Sequence, residues 1–132
     1  MAAVLDTCAW IWLASDPGRL SPAATEAATR ARSEGRLYVP AICAWEVAKL
    51  VEKGRLALRF PVREWVDDAL RLEGLQLYSL TPSVCVASTQ LPRPFHGDPA
   101  DQLIVATARD LGLAVITSDR KIRDYAHVAA IW

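Results

Sequence analysis

The chain has 132 residues, 52% of them apolar, with 15 basic side chains against 15 acidic ones. The length is that of one domain with a real core, and the apolar content excludes a disordered chain. The formal charge of zero excludes a bulk basic field, so any attraction for nucleic acid must be local. Cys8, Cys43 and Cys85 are widely spaced and form no CxxC pair. They read as small core residues in a reducing compartment rather than as a disulfide framework or a zinc site.

The opening "MAAVLDTCAWIWLA" lacks a basic leader, is interrupted by Asp6, and is too short to span a bilayer. It predicts a strand over 2–6 and a buried helix over 7–14. "SDPGRLS" (15–21) is turn chemistry, and Ser21-Pro22 opens a second helix that ends before Gly35. A strand follows over 36–40, then a helix over 41–54 closed by Gly54 and another over 62–74 closed by Gly74. A third strand is expected over 75–80, and Thr81-Pro82 starts a helix through about Gln90. After the loop "LPRPFHGD" (91–98), Asp98 reads as an N-cap and Pro99 as the first position of a helix that Gly112 stops. "LAVIT" (113–117) has the near-continuous apolar run of a strand buried on both faces. A short helix over 119–126 and a last strand over 128–132 complete the chain. Strands alternating with helices, with no linker or repeat, indicate a single α/β domain over 1–132 around a mostly parallel sheet.

In such a sheet, ligands bind beyond the carboxyl ends of the strands, where strand order reverses. Asp6 closes the first strand and Asp119 lies just past the fourth, so both belong to that edge. Each also suits an N-cap. Glu46 lies inside a helix and caps nothing, and its wheel position beside Ile42, Cys43, Val47 and Leu50 leaves it partly desolvated. The structural alternative is an i, i+3 pair with Lys49. Asp101 falls in the first turn after the Asp98 cap, where an acidic residue favours the helix dipole. With Asp98 engaged by backbone N–H groups, Asp101 is the freer carboxylate. Carboxylates converging on one pocket repel and take up protons, and a divalent cation relieves this. A set of oxygen ligands fits Mg²⁺, with Mn²⁺ as a substitute.

The blocks "VLDTCAWIWL", "PAICAWEVAKLVEKGRL", "HGDPADQLIVATA" and "VITSDRKI" resemble, in order and spacing, the four blocks of a PIN domain. More narrowly, the chain is similar to the VapC toxins of bacterial type II toxin–antitoxin pairs. The resemblance implies a three-layer α/β/α sandwich with a five-stranded sheet ordered 3-2-1-4-5. It also implies a metal-dependent ribonuclease that leaves 5′-phosphate and 3′-hydroxyl ends. The family's acidic set falls on Asp6, Glu46, Asp101 and Asp119, as metal-binding and catalytic residues. Asp98 and Thr7 are expected behind them in supporting or structural roles, and His96 is read as shaping its loop rather than as a general base. Arg19, Arg93, Arg120, Lys121 and Arg123 are candidates for contact with the RNA backbone, each with the alternative of an ordinary solvated residue.

The implied partners are RNA, a cognate VapB-type antitoxin and a second copy of the chain, in the cytoplasm and away from membranes. The many tryptophans point toward self-association. Trp10, Trp12 and the 22–33 helix are the expected seat of the antitoxin tail. A PIN nuclease of RNA processing or structure-specific DNA cleavage is the near alternative. A Mg²⁺-binding receiver-type signalling module is the alternative of another class. It is disfavoured because Thr7, not a second acid, follows Asp6, and "YSLTPS" brings no aspartate after the third strand.

Overall fold

The computed structural model describes residues 1–132. Five strands, β1 (Ala3–Leu5), β2 (Leu37–Pro40), β3 (Leu75–Tyr78), β4 (Ala114–Ile116) and β5 (Ala130–Ile131), form one sheet ordered β3-β2-β1-β4-β5. Every pairing is parallel. The central strand is β1, whose Ala3 pairs with Leu37 on one side and Ala114 on the other. All three of its residues are buried, as a strand covered on both faces requires.

Seven helices connect the strands: α1 (Thr7–Ser15), α2 (Pro22–Ser33), α3 (Ile42–Glu52), α4 (Val62–Leu70), α5 (Pro82–Ser88), α6 (Pro99–Leu111) and α7 (Arg120–Arg123). None is long and apolar enough to cross a membrane. The chain steps outward from β1 to β2 and β3, then returns across the sheet to β4 and β5. Right-handed crossovers therefore place helices on both faces, giving three layers. α2 packs on β1, β2, β4 and β5, and α6 packs on β1 and β4.

The helix α1 is apolar nearly all round, and its Ala9, Trp10 and Ile11 are buried in the core. Trp10 is fully buried and meets Trp65 of α4 edge-on, with ring centroids 5.1 Å apart. Both indoles find acceptors: Trp10 Nε1 donates to the Ala69 carbonyl at 3.4 Å, and Trp65 Nε1 to Ser15 Oγ at 2.8 Å. These contacts fix α1, whose first turn carries the pocket residues Asp6 and Thr7.

Several expectations are corrected. α4 ends at Leu70, so Gly74 does not close it. Gly74 instead has φ +81°, and a Cβ there would lie 2.1 Å from the Arg32 carbonyl oxygen, so glycine allows the end of α2 to approach the start of β3. α7 is one turn and β5 two residues long. The segment between them is given to anchoring: Tyr125 is buried and its hydroxyl donates to the Pro92 carbonyl at 2.6 Å, tying down the 91–98 loop. Of the three cysteines, only Cys43 lies in the core, because Cys8 and Cys85 fall on the outward sides of α1 and α5. Trp10 is likewise unavailable to a partner.

Candidate functional site

Strand order reverses between β1 and β4, and this places Asp6 beside the segment Thr117–Asp119. The Asp6 N–H donates to the Ile116 carbonyl at 3.2 Å, carrying the pairing of the two strands to their ends. Asp6 is buried and caps α1, its Oδ1 accepting from the Ala9 N–H at 2.8 Å. Its Oδ2 accepts from the hydroxyl of Thr117, itself fully buried. Asp119 caps α7, its Oδ1 accepting from the Lys121 N–H at 2.9 Å. Capping and convergence on the pocket therefore coexist, because a cap engages one carboxylate oxygen.

Glu46 of α3 is half-buried and accepts a short hydrogen bond from the Thr7 hydroxyl. The alternative pairing with Lys49 does not form, since Lys49 bridges to Glu52 at 2.9 Å. At the start of α6, Asp98 Oδ1 accepts from the N–H groups of Ala100 and Asp101, at 2.9 and 3.2 Å. Asp98 is exposed, whereas Asp101 keeps only a sixth of its side chain in solvent, with its Oδ2 3.1 Å from His96 Nε2.

The electrostatics follow from this crowding. Burial raises Asp6 to about 6 despite its two hydrogen bonds, with Asp119 and Glu46 adding repulsion. Burial raises Asp101 to about 7, joined by the charges of Asp98, Asp119, Glu46 and Asp6. Glu46 is also raised, by burial and by Asp98, against the Thr7 bond that lowers it. Even the Cys8 thiol, which keeps contact with solvent, is pushed up to about 11 by lost hydration and by Asp6, Glu46 and Asp101.

The structure thus brings Asp6, Glu46, Asp101 and Asp119 close enough to oppose one another's ionisation, with Thr7 and Thr117 orienting two of them, but Asp6 and Glu46 are not among the side chains that share a ligand-distance cluster. Ligand atoms of His96, Asp101 and Asp119 lie within 4.8 Å of one another. Hard oxygen donors whose burial and mutual repulsion hold back ionisation fit a divalent cation. Two side chains were not placed here by sequence reasoning. Thr117 ends an apolar strand, and a hydroxyl in such a run is the signal that could have marked it. His96 was assigned to the loop, yet its ring turns toward the acids.

The basic candidates Arg19, Arg93, Arg120, Lys121 and Arg123 are all exposed. Arg120 and Lys121 follow Asp119 directly. The Arg19 guanidinium lies 4.6 Å above the Trp12 ring. Beside it, a groove of about 590 Å³ opens between α1 and the 56–72 segment, lined by Ile11, Trp12, Leu58, Phe60 and Leu72. The helix α2 takes no part in that lining.

Fold and site together define an open parallel α/β protein with a cluster of acidic side chains, able to hold a metal ion, at the switch point of its sheet. Residues 3–128 match the PIN domain family. The chain is 39% identical over 124 residues to Ribonuclease VapC22 of Mycobacterium tuberculosis, covering 94% of this chain and 92% of that protein. The chain belongs to the PIN domain family, among its VapC-type members. Its fold is also that of VapBC2 from Rickettsia felis, solved bound to a DNA fragment from its promoter. That match has a TM-score of 0.72 at 13% identity and covers 98% of this chain and 97% of the other. FitAcB from Neisseria gonorrhoeae gives a TM-score of 0.61 at 22% identity, covering 97% and 95% of the two chains.

Proposed function

We propose that this protein is a Mg²⁺-dependent endoribonuclease, with Mn²⁺ as a substitute, acting as the toxin of a type II toxin–antitoxin pair in the cytoplasm. The observation that carries the reading is the electrostatic crowding of carboxylates from four separate segments near the switch point, two of them with protonation raised to about 6 and about 7. The 39% identity to a protein named as a ribonuclease supports the substrate class.

Asp6, Glu46, Asp101 and Asp119 would hold a divalent cation, which would supply Lewis-acid stabilisation of the charge developing on the phosphate. The Thr117 and Thr7 hydroxyls fix the Asp6 and Glu46 carboxylates, so their oxygens need no reorientation on binding. Arg19, Arg93, Arg120, Lys121 and Arg123 position the RNA backbone around the acidic centre. Water attacks phosphorus and the bond to the 3′-oxygen breaks, leaving 5′-phosphate and 3′-hydroxyl ends. No side chain forms a covalent intermediate.

A cytosolic ribonuclease of this kind needs restraint, and the reading includes a VapB-type antitoxin. Its amphipathic segment seats on the groove of Trp12, Leu58 and Phe60, and an arginine from it pairs with the pocket carboxylates. The reading also includes a homodimer, for which Trp45, 55% exposed, is the candidate anchor. The test is expression in a host with and without the product of the neighbouring short reading frame. Expression alone should arrest growth and degrade RNA, and co-expression should restore both. A chain that binds Mg²⁺ with its carboxylates intact yet is harmless alone would contradict the toxin role.

A further inference from the structure

We propose that Lys53, Arg55, Arg59 and Arg63 form a track for the phosphate backbone of the RNA strand, set back from the acidic centre. The inference rests on the proposed function and adds a surface that holds the substrate away from the reacting atoms.

The four cations stand between Glu52 and Glu64 with no acid among them, the largest acid-free run of basic residues in a chain whose formal charge is zero. All four are exposed. None of them forms an ion pair, and the neighbouring acids Glu52 and Asp68 bridge to Lys49 and Arg71 instead. The loop that carries them is pinned. The Arg55 N–H donates to the Leu50 carbonyl at 2.9 Å, and Gly54 takes φ +69° to turn the chain out of α3. Leu56 and Leu58 pack against the core, while Arg55 and Arg59 stay in solvent.

The position of the track follows from the same elements. Lys53 caps the C-terminus of α3, about 10 Å along the helix from Glu46. Arg59 lines the groove of Trp12 together with Arg19, and the charge of Arg19 reaches Cys8, as do those of Asp6, Glu46 and Asp101. A polyanionic strand is repelled by those carboxylates and gains no long-range attraction from a neutral protein, so its hold must come from cations beside the centre. Three of the four are arginines, whose planar forks match phosphate oxygens. Phe60, 43% exposed among them, offers a ring to an unpaired base, as in surfaces that bind single strands. Cations interleaved with an exposed ring fit an RNA strand better than the acidic face of a protein.

The test uses the cleavage-deficient Asp101→Asn protein and a short fluorescent single-stranded RNA, titrated across salt concentrations. Adding Arg55→Gln, Arg59→Gln and Arg63→Gln together should lower the slope of log affinity against log salt by about 2 and weaken low-salt binding at least about tenfold. The charge-matched set Arg30→Gln, Arg32→Gln and Arg36→Gln, at the end of α2 and the start of β2, should leave the slope nearly unchanged. Lysine at positions 55, 59 and 63 should restore it, since point charges also neutralise phosphates. Equal slopes for the two glutamine sets would overturn the inference. An unchanged slope with loss of antitoxin binding would also overturn it and give the strip to a protein partner. In the Asp101→Asn protein with the strip intact, saturating RNA should shield Lys53 from acetylation, read by mass spectrometry. Unaltered modification of Lys53 would overturn the inference without any strip variant having to fold. Wild-type protein that neither binds nor cleaves RNA would overturn the proposed function and this inference with it.

Discussion

Replacing Asp101 by Asn is expected to lower RNA cleavage on the order of a thousandfold, and Asp6→Asn by a similar factor. Asn keeps the size of the side chain and removes the charge that a cation and a developing phosphate charge require. At Asp6, the Asn oxygen still accepts the Ala9 N–H, so the cap of α1 survives. Both variants should melt no lower than wild type without metal, since each removes a charge that its neighbours oppose. Asp98→Asn should cost less than about tenfold, because its role in the structure is to accept from Ala100 and Asp101, and Asn caps well. The comparison is made by single-turnover cleavage at saturating Mg²⁺, with circular dichroism to confirm folding. Equal losses for Asp98→Asn and Asp101→Asn would show that the two aspartates share the chemistry.

The second large effect is on stability. Without divalent cation, Asp6 and Asp101 hold their protons to about 6 and about 7, while in the unfolded chain they ionise near 3.8. Between those values the native state binds more protons than the unfolded state, so stability falls as pH rises. The loss begins above about pH 4, runs through about 7, and levels off beyond. From pH 5 to 8 it should amount to roughly 4 kcal/mol. Mg²⁺ or Mn²⁺ binds the ionised carboxylates of the native state and should reverse the loss at pH 8 in proportion to the logarithm of its concentration. The measurement is urea denaturation at pH 5 and pH 8, with chelator and with metal. Metal-free stability that is level or rises across that range would contradict the assigned crowding of charge.

Much of this was legible in the sequence because local chemistry and global topology agree. The Pro-led helix starts at Ser21, Thr81 and Asp98, and the glycine stops at Gly35, Gly54 and Gly112, marked helices where the chain forms them. Asp6 and Asp119 were placed on one edge by the position of their strands alone. Glu46 stood out because nothing local explained an acid at its helical position. Other features depend on contacts between distant segments, which spacing does not report. Gly74 looks like a helix stop, but its reason is the carbonyl of Arg32. Tryptophans that suggested a sticky surface divide by packing: Trp10 and Trp65 fill the core, while Trp45 faces out. His96 reads as a loop residue until the Phe95–Tyr125 packing turns its ring toward Asp101.

The most direct test of the central claim is the anomalous scattering of Mn²⁺ in crystals of the wild-type protein. The account predicts a peak at the carboxyl edge of β1 and β4, coordinated by oxygens of Asp6 and Asp101 with Glu46 and Asp119 within reach, and lost in Asp101→Asn. A peak elsewhere on the molecule, or a Glu46 side chain turned out to bulk solvent in the Mn²⁺-bound crystal, would contradict it.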